Sequence, residues 1–474
     1  MAPTRTLLSG LLGAALLLPV LPGAQAADAP HAPRAADVRT PDVRTSDAST
    51  PDARTSHART SPARTGAART LDARTIDYLG LRLAVPADWR VVDLDREPGA
   101  CLRLDLPTLY LGHAGTQTAC SGRAAASRAD TLHLEPIEGA PPRADIPTLS
   151  VDSGATLPPA PPRTDSNELR YALLRPGVMA TVSYGAAPDT VRRVLARARA
   201  VPGAHPAGPA TPPAEPAPAA DGTGPLNAQE PFTGEGFDTC TAPAQTTMDS
   251  WRAGSPFRAV GIYIGGRARA CAQPQLTADW VRRQAGAGWH LMPIWVGPQP
   301  WRSAGTGLST DPSEADGQGR SAADGAVAAA ASLGLPTGTV LYNDLEHYTD
   351  RETWDAPVVA YLTAWTVRLH ELGYRSAAYV SASSGAKALG AHHHQAPGAM
   401  PDVLWVARWN GAASVTDADL GLRAGTPQWA GRRRAHQFRG DHSATYGGVT
   451  LTIDRNWVDV DPSALGTGGV FPLS

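Results

Sequence analysis

From Gly234 to the end of the chain, short apolar runs alternate with stretches of helical periodicity, and no other sequence feature limits the fold as much. The candidate strands are Gly236–Cys240, Ala259–Ile264, Trp289–Val296, Thr339–Glu346, Ser376–Ser381, Val403–Trp409, Ala435–Phe438 and Leu451–Asp454. Helical spacing of apolar residues marks Thr277–Ala287, Gly319–Leu333 and Pro357–Leu372 between them. Eight strands in about 225 residues is the count of a (β/α)8, TIM-type barrel. A doubly wound open sheet is the alternative, but no glycine-rich phosphate loop follows the first strand.

Such a barrel places its chemistry at the C-terminal strand ends, and acids fall there. The run Thr339-Val-Leu-Tyr-Asn-Asp344-Leu-Glu346 begins as a strand buried on both faces and ends in two carboxylates. Residues i and i+2 of a strand share a face, so Asp344 and Glu346 are expected to project together. The competing reading makes Asp344 a helix cap, a role for which Thr349 and Asp350 are better placed. Asp238 closes the first strand and Asp454 the eighth, and these strands are neighbours in a closed barrel. Four carboxylates facing one bowl would raise at least one pKa, as a general acid near neutral pH requires.

The rest of the chain sets the context. Residues 1–26 have a basic start at Arg5, an apolar run from Leu7 to Leu21 and the small-x-small site Ala24-Gln25-Ala26, which read as a secretory signal. No second apolar run is long enough to span a membrane, so the mature chain is expected to be secreted, extracellular or wall-associated. Residues 36–75 repeat a five-residue unit ending in Arg-Thr, a period that fits neither helix nor strand, and 27–75 is expected to be a disordered spacer. Residues 76–201 read as a small α+β accessory domain of short strands with a helix from Asp189, and 202–233 as a Pro/Ala linker. Residues 234–465 are the barrel.

A net charge of −2 gives no electrostatic case for nucleic acid, and all but Lys387 of the 42 basic residues are arginine. The four cysteines are an even number in an oxidising compartment, and pairing by proximity gives Cys101–Cys120 and Cys240–Cys271. Neither pair has the spacing of a zinc site, and no metal or other cofactor is assigned. Nothing in the sequence fixes the oligomeric state.

Several motifs carry a resemblance. Gly236-Phe-Asp238, Asp344-x-Glu346, Gly373-Tyr374, Leu404-Trp405-x-Ala407-x-Trp409, His436-Gln437-Phe438 and Ile453-Asp454-x-Asn456 stand in the order found in the Chalaropsis-type lysozymes, secreted muramidases with a (β/α) barrel. A sister family of exported bacterial proteins, a glycoside-hydrolase-like domain, is more similar still. Its Gly-Phe-Asp-x-Cys, Ile-Tyr-x-Gly-Gly, Pro-Ile-x-Val-Gly and Asp-x-Glu stand at Gly236–Cys240, Ile262–Gly266, Pro293–Gly297 and Asp344–Glu346. The muramidase pattern is left after the second strand, where this chain has Gly265-Gly266 and an expected disulfide. The resemblance implies that Glu346 is the general acid and Asp344 its partner, with Asp238 and Asp454 positioning substrate and tuning the pair. It also implies a cell-wall glycan as substrate, and the same cleft without turnover would make a glycan-binding or wall-organising protein. Trp295, Trp405 and Trp409, with Tyr342, Tyr379 and Gln437, form the expected glycan-contacting set, although core packing competes for each aromatic ring.

Overall fold

The alternation after Gly234 closes into a ring. In the computed structural model the described residues are 73–201 and 230–465, apart from 119, 121–126, 141–142, 144–145, 153–156, 160–165, 302–306, 397 and 426–427. The secretory signal, all but the end of the Arg-Thr spacer and most of the Pro/Ala segment lie outside the described residues.

The N-terminal module begins inside the expected spacer. Its elements are β1 (Ala73–Tyr78), β2 (Leu81–Pro86), β3 (Arg90–Asp93), β4 (Thr108–Leu111), β5 (Thr131–Pro136), β6 (Thr148–Val151), β7 (Glu168–Leu173), β8 (Val178–Ser183), α1 (Asp189–Ala196) and β9 (Arg199–Ala200). Strands β1 and β2 form a hairpin, because Leu79 and Gly80 between them both take positive φ and turn the chain. Strands β3 to β8 form a six-stranded sheet in the order β3-β4-β5-β8-β7-β6, and β1-β2-β9 form a second sheet. Leu83, Val85, Leu132, Leu134, Tyr171 and Val182 are among the fully buried side chains of the shared core.

The barrel runs through β10 (Phe232–Asp238), α2 (Gln245–Gly254), β11 (Ala259–Gly265), α3 (Ala278–Gly286), β12 (His290–Val296), α4 (Pro312–Ser332), β13 (Val340–Leu345), α5 (Arg351–Glu371), β14 (Arg375–Ser381), α6 (Gly385–His392), β15 (Val403–Ala407), α7 (Asp417–Leu420), β16 (Arg433–Tyr446) and β17 (Val449–Val460). All eight strands close into one barrel. Strands β10 to β16 are parallel to their neighbours, but β17 is antiparallel to both β16 and β10. The cause is local: only Gly447 and Gly448 separate β16 from β17, and both take positive φ, so the chain reverses in a hairpin instead of crossing through a helix. Asp454 therefore lies in the middle of a reversed strand, not at a C-terminal strand end as its sequence position suggested.

Strand parity divides the core into two shells. On β13, Val340 and Tyr342 face the barrel interior, while Leu341 and Leu345 pack outward on the helices. Helix α5 is capped by Asp350, whose carboxylate accepts from Thr353 N–H at 3.1 Å. Asp344 is thus left to the strand. Among the described residues no helix is long and apolar enough to cross a membrane.

Module and barrel share a buried contact. Leu104 N–H donates to the Ala270 carbonyl and Ala272 N–H to the Leu102 carbonyl, at 2.8 and 2.9 Å. Both disulfides, Cys101–Cys120 and Cys240–Cys271, are formed and pack in one cluster with Ala270.

Candidate active site

Asp344 ends the inward-facing series of β13 and is 3 % exposed, while Glu346, two residues on, is half-buried at the rim. Their backbone is fixed by Gln299 from the loop after β12. Its side-chain amide donates to the Asp344 carbonyl at 2.8 Å, and its oxygen accepts from Glu346 N–H at 2.8 Å. Gln299 is itself fully buried, so the direction of both acids is built into the fold.

Asp238 and Asp454 are directly opposed across the β10–β17 pair, which puts both side chains on one face. Asp238 accepts from Asn456 Nδ2 at 2.7 Å, from the Tyr263 hydroxyl at 3.2 Å and from Gln437 Nε2 at 3.3 Å. Asp454 accepts from the Asp441 backbone N–H at 2.6 Å and from Gln437 Nε2 at 3.4 Å. Gln437 is the hub of the group: its oxygen takes the Tyr379 hydroxyl at 3.0 Å and the Trp409 indole N–H at 2.9 Å. With two donors on the oxygen, its amide must face the two aspartates.

Burial dominates the electrostatics. It pushes Asp238 up to about 6 against the hydrogen bonds that favour its charge. Asp454 is pushed up to about 8, first by burial and then by the charge of Asp238. Asp344 is held well above the usual carboxylate range by burial, then by Glu346, Asp238 and Asp454. Its Oδ1 has no hydrogen-bond partner among the described residues. Asp238, Asp344 and Asp454 are too dry to ionise together at no cost, and Asp344 and Asp454 favour their protonated forms at neutral pH.

The expected glycan-contacting residues divide. Trp409 is 57 % exposed beside the acids, and its ring lies over Gly440, where an added Cβ would come within 1.9 Å of it. Tyr379 is half-buried with its hydroxyl in the bowl. Trp405 is buried beneath, its indole N–H donating to Asn456 Oδ1 at 3.0 Å, and Tyr342 packs edge-on to it at 5.7 Å. Neither has a face to offer a ligand. Trp295 points the other way, 4 % exposed in the outer shell, with its ring in the space that a side chain at Gly265 would fill. The polar atoms of Gln437 are taken up within the group, which makes it an organiser of the acids.

Three residues of the group were given no role in the sequence reading. Asn456 stood there within Ile453-Asp454-x-Asn456 and Tyr263 within Ile262–Gly266, and strand parity puts Asn456 on the face of Asp454 and makes Tyr263 an inward strand residue. Gln299 has no sequence signal. Among the described residues no three His, Cys, Asp or Glu side chains are arranged to hold a metal ion.

Residues 249–458 match the family model described as Rv2525c-like, glycoside hydrolase-like domain, which bears out the resemblance carried by the motifs. Similar solved structures include an uncharacterized B. stearothermophilus protein, at 20% identity and a TM-score of 0.34, covering 48% of this chain and 95% of that one. The Mycobacterium tuberculosis Tat-secreted protein Rv2525c in complex with L-tartrate has 18% identity and a TM-score of 0.34, covering 48% and 96%. The Clostridium perfringens spore cortex lytic enzyme SleM has 16% identity and a TM-score of 0.31, covering 48% and 67%. No curated protein matches the chain.

Proposed function

We propose that this glycoside-hydrolase-like barrel cleaves a cell-wall glycan, peptidoglycan or a related polysaccharide, by carboxylate general acid catalysis in an exported protein. The observation that carries the reading is the gathering of three buried aspartates, Asp238, Asp344 and Asp454, with Glu346 alone among the four acids reaching the rim. In this reading Glu346 protonates the departing glycosidic oxygen, and Asp344 beneath it supports the charge that develops on the sugar. Asp238 and Asp454 hold the bowl in register, and Trp409 and Tyr379 offer aromatic surface to sugar rings. The barrel is read as a TIM-type barrel whose last strand has been reversed. The domain bounds of 76–201 and 234–465, the linker between them and export by the N-terminal segment belong to the same reading.

One observation favours a non-catalytic glycan binder. A buried Asp344 that keeps its proton is a poor nucleophile and a weak stabiliser of positive charge. Incubation of the purified protein with peptidoglycan and with neutral polysaccharides, scored for new reducing ends, separates the two. New ends from peptidoglycan support the hydrolase; retention on the polymer without new ends supports the binder.

A further inference from the structure

The loop after β11 is where the chain leaves the muramidase pattern, and it is also where the N-terminal module docks. Gly265 and Gly266 let the loop turn in against β12. Gly266 takes φ +104°, and an added Cβ there would lie 2.1 Å from the Val296 carbonyl oxygen. Beyond this turn the loop carries Arg269, whose side chain is 1% exposed and lies among charged groups of the module.

Arg269 Nη2 donates to Glu168 Oε2 at 2.5 Å, and Arg128 Nη2 lies 3.1 Å from the same oxygen. The side chains of Glu168 and Arg128 are both 0% exposed. Arg128 also donates to the Arg269 carbonyl at 2.5 Å, to the Ser166 carbonyl at 2.7 Å and to Ser183 Oγ at 2.9 Å. Loop and module are thereby tied by both backbone and side chain. The other arm of the Arg269 fork, Nη1, donates to the Tyr263 carbonyl at 3.3 Å. Tyr263 in turn donates its hydroxyl to Asp238. The path from Glu168 to Asp238 is continuous, buried at Glu168, Arg269 and Asp238 and half-buried at Tyr263, and a planar guanidinium is the one side chain that can serve both of its middle contacts.

We propose that Glu168 and Arg128 of the N-terminal module are positioning residues for the carboxylate bowl of the barrel, acting through Arg269 to hold Tyr263 against Asp238. The geometric part stands by itself; its consequence for turnover rests on the hydrolase reading. The titratable groups around Asp238 are Asp454 on β17, Asp344 and Glu346 at the end of β13, Tyr263 on β11 and Tyr379 on β14. Of these, Tyr263 is the one that favours the charged form of Asp238 by a hydrogen bond. Loosening it raises the Asp238 pKa.

The test uses the full chain with Tyr263→Phe, Arg269→Lys and Glu168→Gln. Unfolding free energy is measured across pH, which needs no turnover, and the pH profile of reducing-end release is measured alongside. Tyr263→Phe should move the Asp238 inflection upward by roughly half to one pH unit, and the other two variants should move it in the same direction. Arg269→Lys keeps a cation beside Glu168 but loses the second arm, so it decides the matter if Glu168→Gln does not fold. A uniform loss of stability in Arg269→Lys and Glu168→Gln, with the inflection unmoved, would overturn the proposal and leave the module a structural clamp. An unmoved inflection in Tyr263→Phe would overturn it as well. A moved inflection in a protein that releases no reducing ends would uphold the positioning and count against the hydrolase reading alone.

Discussion

Replacing Asp238 by Asn should make the protein more stable at neutral pH and leave it nearly unchanged in acid. The carboxyl is 1% exposed and stands at about 6 in the folded chain against an ordinary 3.8. A group raised in the folded state adds nothing unfavourable while both states are protonated, below about pH 4. Its penalty grows as pH passes from the unfolded to the folded value, and is complete above about pH 6. A shift of about two units at roughly 1.4 kcal/mol each gives a penalty of about 3 kcal/mol. Asn avoids that penalty and keeps the contacts: its oxygen can accept from Asn456, and its amide can donate to the Tyr263 hydroxyl. It also removes the charge that raises Asp454 and Asp344, so the gain can exceed this figure. Guanidinium unfolding at about pH 4 and about pH 7.5 would measure it, with the difference between variant and parent compared at each pH. A gain of equal size at both pH values, or a loss at neutral pH, would refute the argument that Asp238 carries a buried and poorly compensated charge.

Three further outcomes follow from the same geometry. Trp409→Ala should cost about 1 kcal/mol of stability, since the exposed ring gives up one hydrogen bond to Gln437, and should weaken retention on glycan in a pull-down with insoluble peptidoglycan. Gly440→Ala should weaken retention in the same way, since its methyl group would displace the Trp409 ring and break the bond to Gln437, a change visible in tryptophan fluorescence. Replacing both Cys240 and Cys271 by Ser opens a loop with a sequence separation of 31, and should cost about 3–4 kcal/mol in the chain-entropy model, read from thermal or denaturant unfolding.

The barrel was legible because its strands bury both faces and its helices repeat at helical spacing, signals that survive without tertiary context. The acids were legible for a related reason. Strand parity places Asp344 and Glu346 together, and ring closure makes neighbours of Asp238 and Asp454. What parity cannot give is chain direction, which is why the reversal at Gly447-Gly448 was missed although both glycines stood in the sequence. Aromatic residues gave the weakest reading, since Trp295 and Trp405 differ only in which shell their strand position faces, and Trp409 is exposed because it lies beyond the end of β15. A loop residue such as Gln299 was beyond reach, because its role depends on a contact 45 residues along the chain. The module's grip on the barrel was equally hidden: nothing in the sequence around Arg128, Glu168 and Arg269 marks them as partners, and it is the fold that buries them together.

The most direct test of the central claim compares the parent protein with Glu346→Gln on peptidoglycan, measuring retained protein and released reducing ends in one incubation. The hydrolase reading predicts equal retention and a fall in release of at least the roughly 10²–10⁴-fold that a general acid contributes. Equal release from both proteins, or no release from the parent, would contradict it.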